Sequence, residues 1–376
     1  MSARSLAHAV LVRVDVDRAW VAPALDGALR RSRLDDRDRA LATELVYGVT
    51  RRRRAIDAAA RPFVKRDLDP DVRAAVRIGT YQLLEQRVPA HAAVSEAVDL
   101  APRRASGLVN AVLRRVAEAG MPGGLGPAER LSYPDWLVDR LVADLGQHDA
   151  HAALAEMNVP VETPARADGY RQDPASTWVA ELVEAEAGET VVDLCAAPGG
   201  KATVLAASGA DVIACELHPA RARGVVGVAE ATGHDLSVVV ADARSAALRP
   251  GSADRVLLDA PCSGLGALRR RADARWRIDG EAVERLAALQ IELLDAAADL
   301  VRPGGRLVYS VCTITTAETI DVVDRVLAER SDLDAEVVDP GSRWRVRGRG
   351  VLTLPQDHRT DGMFACVLRR RRAGDG

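Results

Sequence analysis

The residues Val191-Val192-Asp193-Leu194-Cys195-Ala196-Ala197-Pro198-Gly199-Gly200-Lys201 decide the fold. A short β-branched run ends in an acid, turns through Pro-Gly-Gly and opens into helix-forming residues. That is the pattern of a strand feeding a helix N-terminus where backbone can approach a ligand closely. It is not the dinucleotide fingerprint Gly-x-Gly-x-x-Gly. Nor is it the phosphate loop Gly-x-x-x-x-Gly-Lys-[Ser/Thr], because Ala202 follows Lys201 and the first glycine is missing. Four further runs, at 211–216, 236–240, 255–258 and 306–311, alternate with helical stretches. Five such runs predict a parallel sheet covered by helices on both faces, and 335–338 and 364–368 add a candidate antiparallel edge.

Such a sheet binds ligands beyond the carboxyl ends of its strands, so the residues closing each run carry the information. The second run ends at Glu216, 23 residues after Asp193, where a carboxylate can accept hydrogen bonds from ribose hydroxyls. The third is followed by Asp242, placed for an adenine end, and without a diphosphate cradle these acids point to S-adenosylmethionine. The fourth run closes on Asp259-Ala260-Pro261-Cys262-Ser263-Gly264 and the fifth on Ser310-Val311-Cys312-Thr313. Taken singly, each acid reads more readily as a helix cap or loop residue, and a lone cysteine in an apolar run is ordinarily an inert small hydrophobe. Two thiols at adjacent strand ends, one beside an aspartate, point to a nucleophile. A thiolate adds to C6 of a pyrimidine and makes C5 electron-rich enough to take a methyl group. Asp259 would bind the Watson–Crick edge and favour protonation at N3, on a base unpaired or flipped outward.

Upstream the texture changes. Apolar residues recur three and four apart, as in Val72, Ala75, Val76, Gly79 and Leu83, so residues 1–119 are expected to form an all-α domain. Four glycines and two prolines within 120–127 end it. Residues 120–175 read as a linker helix and a polar, proline-containing passage, and 176–376 as the sheet domain. Charge follows this division: residues 1–120 hold 22 Lys+Arg against 15 Asp+Glu, a surplus of seven, and the remainder 29 against 39, a deficit of ten. Arginine clusters at 30–33 and 51–54 offer forks for phosphates or, equally, solvated helix faces. No apolar stretch reaches the roughly 18 residues of a membrane span, and the short segment at 6–12 does not read as a secretory signal. A cytoplasmic location is expected. Five scattered cysteines without a Cys-x-x-Cys pair argue against a structural metal and a disulfide framework.

The motifs at 193–201 (DLCAAPGGK), 259–266 (DAPCSGLG) and 309–313 (YSVCT) resemble those of the Sun-type ribosomal RNA cytosine-C5 methyltransferases. The first third resembles that family's NusB-like RNA-binding domain through Leu45-Val46-Tyr47-Gly48-Val49, Ile78-Gly79-Thr80-Tyr81 and Val109-Asn110-Ala111-Val112. The resemblance implies an α/β Rossmann-like S-adenosylmethionine-dependent methyltransferase domain, with a mostly parallel seven-stranded sheet, preceded by an all-α NusB-like domain. It implies a monomer acting on cytosine C5 of 16S ribosomal RNA, free or in an assembly intermediate, with no membrane partner. Cys312 would be the attacking thiol, Cys262 would help release the product, and Asp259 would stand beside them. Cys195, Ala196, Ala197, Pro198, Gly199, Gly200, Lys201, Glu216, Arg221, Asp242 and Asp259 would form the cofactor site. Pro355 and Asp361-Gly362-Met363-Phe364 resemble the closing motif, with Met363 in place of an aromatic residue.

One departure is large. The family's small RNA-binding subdomain follows an Arg-x-Asn motif; here the counterpart is Arg166-Ala167-Asp168, and only residues 169–174 precede the next helix. Most of the subdomain is expected to be missing, with Arg269-Arg270-Arg271 and the arginines at 369–372 as candidates to compensate. Two rival readings stand beside the main one. In the DNA cytosine methyltransferase arrangement Cys262 attacks; in a non-catalytic RNA-binding or ribosome-assembly factor the sheet domain is a degenerate remnant.

Overall fold

The computed structural model describes residues 2–372. By contact the chain divides into two compact units: residues up to Val138 together with Arg271–Arg277, and Asp139–Arg270 together with the residues from Ile278 onward.

The first unit is built on α1 (Ala3–Val16), α2 (Val21–Arg31), α3 (Asp36–Ala60), α4 (Pro70–Leu84), α5 (Ala90–Leu100) and α6 (Ser106–Ala119). Their ends follow local chemistry. The Asp35 side chain accepts from the Asp38 N–H to start α3, and Gly120, at φ +68°, stops α6 where the glycine-rich passage begins. The apolar stripes become cores: Leu6, Val10, Leu45, Val46 and Ile78 in one cluster, Val72, Val76, Val109, Val112, Leu113 and Val116 in another. A Cβ at Gly48 would lie 2.2 Å from the Tyr81 ring, so only glycine lets α3 and α4 cross this closely. Seven residues from far along the chain join this unit. The Trp276 indole N–H donates to the Thr50 carbonyl at 2.8 Å, Asp273 accepts from the Val21 N–H at 2.9 Å, and buried Arg275 lies 3.9 Å over the Tyr133 ring.

Three helices follow α6, namely α7 (Pro127–Leu131), α8 (Asp135–Leu145) and α9 (Gln147–Glu156), and then α10 (Pro174–Glu181). The passage before α10 is a tight turn, closed by the Arg166 N–H on the Tyr170 carbonyl at 2.8 Å and a bridge between Ala165 and Arg171. The predicted runs are the strands β1 (Thr190–Leu194), β2 (Asp211–Glu216), β3 (Ser237–Val240), β4 (Ala253–Asp259) and β5 (Val301–Val311), all parallel. Four antiparallel strands extend the sheet: β6 (Leu333–Ala335), β7 (Arg345–Arg347), β8 (Gly350–Thr353) and β9 (Met363–Arg370). The connecting helices are α11 (Gly200–Ala206), α12 (Pro219–Thr232), α13 (Gly280–Leu300), α14 (Ile320–Glu329) and α15 (Pro355–His358).

The order is β3-β2-β1-β4-β5-β9-β8-β7, with β6 also on β9, so the sheet has nine strands rather than the expected seven. The β7–β8 hairpin escapes a sequence reading because Arg345-Val346-Arg347-Gly348-Arg349-Gly350 has charge and glycine where a buried strand shows an apolar run. Strand order reverses at β1 between β2 and β4, the switch point that opens a crevice beyond the strand ends. Register sets Asp259 opposite Ser310, so the residues after β4 and β5 emerge together. Among the described residues, no helix is long and apolar enough to cross a membrane.

Candidate active site

At the end of β1 the Asp193 carboxyl is fully buried and neither oxygen has a hydrogen-bond partner. Burial, with Asp259 adding to it and Lys201 opposing, pushes its pKa up to about 8. The loop that follows holds Cys195 at φ +63°, a left-handed conformation uncommon for a residue with a side chain. Gly199 at φ +111° then leads into α11. Arg166 fixes this loop from the side: its guanidinium pairs with Asp168 and donates to the Gly200 carbonyl at 2.6 Å and the Thr203 hydroxyl at 2.8 Å. The Arg-x-Asp motif therefore buttresses the start of α11. At the end of β2, buried Glu216 accepts from the His218 N–H at 3.0 Å, and Arg221 reaches to 3.6 Å from it and 3.5 Å from the Ala197 carbonyl. Asp242 stands apart. Its carboxylate is clamped by Arg244 at 2.7 Å, and the side-chain and backbone hydrogen bonds from Arg244 draw its pKa down to about 2.

Across the switch point, Lys201 on α11 meets the end of β4. Its ammonium donates to Asp259 Oδ2 at 2.8 Å, while Ser310 donates to Oδ1 at 2.8 Å. Burial alone would lower the Lys201 pKa, but Asp259, Cys312 and Asp193 together raise it, so a cation is held at the strand ends. The Sγ atoms of Cys262 and Cys312 lie 3.4 Å apart. Cys262 is pushed well above the ordinary thiol range, first by its hydrogen bond to Cys312, then by burial and the neighbouring carboxylates of Glu318 and Asp259. Burial likewise lifts Cys195 and Cys366 to about 12 and Cys215 to about 11.

The sulfur loops are joined by a carboxylate that sequence reasoning missed. Buried Glu318 accepts from the Ser263 N–H at 2.7 Å and hydroxyl at 2.5 Å, from Thr313 at 3.1 Å, Thr315 at 3.0 Å and the Gln290 amide at 3.2 Å. Tyr309 donates to the Glu318 carbonyl at 2.8 Å. Gly266 completes the lacing: its N–H donates to the Cys312 carbonyl at 3.0 Å, and a Cβ there would sit 2.0 Å from the Gly362 carbonyl oxygen. The only advance signal was the density of hydroxyls in Thr313, Thr315, Thr316 and Thr319 ahead of α14.

Most of the arginines named as candidates to compensate are engaged in ion pairs, while Arg271 is exposed. Arg269 is buried, donating to the Thr360 carbonyl at 3.2 Å and lying 3.5 Å from Glu156, and Arg270 pairs with Asp361. In the tail, Arg369 pairs with Glu336 at 3.0 Å, Arg370 with Asp332 at 3.3 Å and Arg371 with Asp334 at 2.6 Å.

The model of the family described as 16S rRNA methyltransferase RsmB/F matches residues 180–369, and that of the NusB family matches residues 1–118. The ribosomal RNA small subunit methyltransferase B of Thermus thermophilus is 39% identical, covering 98% of this chain and 97% of its own length. A probable enzyme of the same name from Synechocystis is 32% identical over 447 aligned positions, covering 98% of this chain and 100% of its own. Since this chain has 376 residues, that relative carries segments missing here. The crystal structure of PH0851 superposes with a TM-score of 0.78 over 98% of this chain and 99% of that one, at 23% identity, which is a likeness of fold.

Proposed function

The chain belongs to the RsmB/F family of 16S rRNA methyltransferases, and we propose that it methylates cytosine at C5 in small-subunit ribosomal RNA through a covalent adduct between Cys312 and C6. The observation that carries the proposal is the 3.4 Å sulfur pair, with the cation of Lys201 and the carboxylate of Asp259 beside it.

S-adenosylmethionine, when bound, supplies an electrophilic methyl group. The residues present fit it. A buried carboxyl lacks partners at the end of β1, and Glu216 is an acceptor at the place where a ribose diol is recognised. Gly199 and Gly200, with Cys195, Ala196, Ala197 and Pro198, would hold it along the loop, with Arg221 and Asp242 at its rim.

Of the two sulfurs, Cys312 suits attack. The two sulfurs share a hydrogen bond, and that bond, burial and two carboxylates push Cys262 up as a thiol, whereas Cys312 is among the groups that raise the Lys201 pKa. A thiolate is the nucleophilic form, and interaction with the Lys201 ammonium would favour it at Cys312. Asp259 uses one lone pair on each oxygen for Lys201 and Ser310, and a carboxylate has about four acceptor sites, leaving room for a base N–H. It would hold N3 protonated and so offset the charge that addition at C6 places on the ring. Cys262, beside the carbon–sulfur bond that must break, would assist loss of the C5 proton and departure of Cys312; to act as the base it must first release its own proton to solvent, once Cys312 is bonded to C6 and no longer shares it.

The test uses the two alanine variants on unmodified 16S rRNA. Cys312→Ala should abolish transfer and form no adduct, while Cys262→Ala should accumulate an RNA–protein adduct that survives denaturation. An exchange of these phenotypes would make Cys262 the nucleophile, and full activity of Cys312→Ala would overturn the mechanism. Bisulfite sequencing of the product checks C5.

A further inference from the structure

A cavity of about 620 Å³ opens in the helical unit among the C-terminal half of α3, the segment after it, α4 and Trp276. This is within the range of roughly 300–1,000 Å³ that takes a nucleotide-sized ligand. Its cations fall into two groups. Arg54 is bidentate on Asp135, Arg61 is 3.3 Å from Glu129, Arg73 is 2.7 Å from Asp15, and Arg77 is 2.8 Å from Asp57. Arg53, Lys65 and Arg66 have no carboxylate partner among the described residues, and all three line the cavity. Half-buried Arg53 stacks 4.2 Å over the Trp276 ring, and burial with the nearby Arg77 lowers its pKa to about 10 against the opposing pull of Asp57 and Asp15. Val64, Leu68 and Val76 give the cavity an apolar wall.

We infer that this cavity is a nucleotide subsite for the RNA substrate: a phosphodiester held by Arg53, Lys65 and Arg66, with the adjoining nucleoside against the apolar wall. A planar fork backed by an indole, two flexible cations at the mouth and an apolar side match a phosphate joined to a flat ring. An acidic peptide needs the cations but has no use for the wall. The choice of RNA rests on the reaction proposed above.

The experiment measures binding of the full chain to an unmodified 16S rRNA transcript across about 50–200 mM salt. Lys65→Ala with Arg66→Ala removes exposed side chains that hold nothing in the fold. It should weaken binding about ten-fold and reduce the log–log salt slope by about 0.7–0.9, one phosphate contact's worth. Arg31→Ala with Arg33→Ala removes the same charge from another exposed segment and should cost less than about two-fold. Arg53→Lys keeps the charge but loses the fork and should weaken binding several-fold. Equal losses in the two double variants, or none at the cavity, would overturn the subsite. So would displacement of the transcript by polyglutamate at matched charge, which would point to an acidic protein. Methyl transfer is read separately. A wild-type chain that shows these binding differences yet transfers no methyl group would support the subsite and sink the reaction.

Discussion

Around the two sulfurs, the polar atoms of Ser263, Gln290, Thr313, Thr315 and Glu318 all find partners within the chain, whereas a few residues away both oxygens of buried Asp193 find none. The two halves of the candidate site sit on one strand edge, and they differ in what finishes them. The sulfur half is wired by its own side chains, so its geometry is set before any ligand arrives. The cofactor half keeps Asp193 unsatisfied and Glu216 with capacity to accept, so its polar groups are completed by what binds.

The comparison is most severely tested at Glu318. Glu318→Ala leaves five buried donors without their acceptor and frees the Cys262 loop from the Cys312 loop. Each orphaned donor costs about 1–3 kcal/mol, with relaxation recovering part, so a loss of about 3 kcal/mol or more in chemical denaturation is expected. Methyl transfer should fall at least about 100-fold, because displacing the sulfurs by an ångström costs that much, while calorimetry should find cofactor affinity little changed. A folded variant with wild-type turnover would show that the wiring has no part in the chemistry.

On the other half the expected change runs the opposite way. The Asp193 pKa, about 8 in the fold, exceeds the unfolded value of about 3.9, so the folded chain binds the extra proton between them. Its contribution to stability therefore declines as pH rises through that window and levels off above about 8. Asp193→Asn has no proton to hold. Relative to wild type it should gain about 1 kcal/mol per pH unit between pH 6 and 8, and nothing further above that. A constant difference across this range would mean that Asp193 is not buried as an acid.

How much of this was legible in the sequence divides along similar lines. The turn at Cys195–Lys201, the five parallel strands and the helical stripes are local patterns, with apolar period and turn chemistry contained within about ten residues. The reading therefore found β2 as Asp211–Glu216 and brought both sulfur loops to one edge. What it missed is non-local. Glu318 looks like a helix-start acid before α14 until its partners 55 and 28 residues away are known. Arg269 looks like a surface charge until Glu156 and the Thr360 carbonyl enclose it. Nothing within Arg271–Arg277 announces that it packs with a helical unit whose residues precede it by more than 130 positions.

The smallest expected effects separate the other two acids of the cofactor half, Glu216 and Asp242. Glu216 is buried at a strand end and its carboxylate faces Arg221 at 3.6 Å, so an acceptor is held there at fixed position. Glu216→Gln keeps the shape but lets a ribose hydroxyl meet an amide, and the lost charge-assisted hydrogen bonds should raise the Kd for S-adenosylmethionine about ten-fold. Asp242 is different. It is partly exposed and already holds Arg244 with both oxygens, so a ligand must compete with that pair. Arg244→Ala removes the competitor, and affinity should rise, though by less than about three-fold because an exposed ion pair is worth little in water. A fall in affinity would mean that Arg244 positions Asp242 rather than occupying it, and the cofactor half would then be wired at its rim as the sulfur half is at its centre.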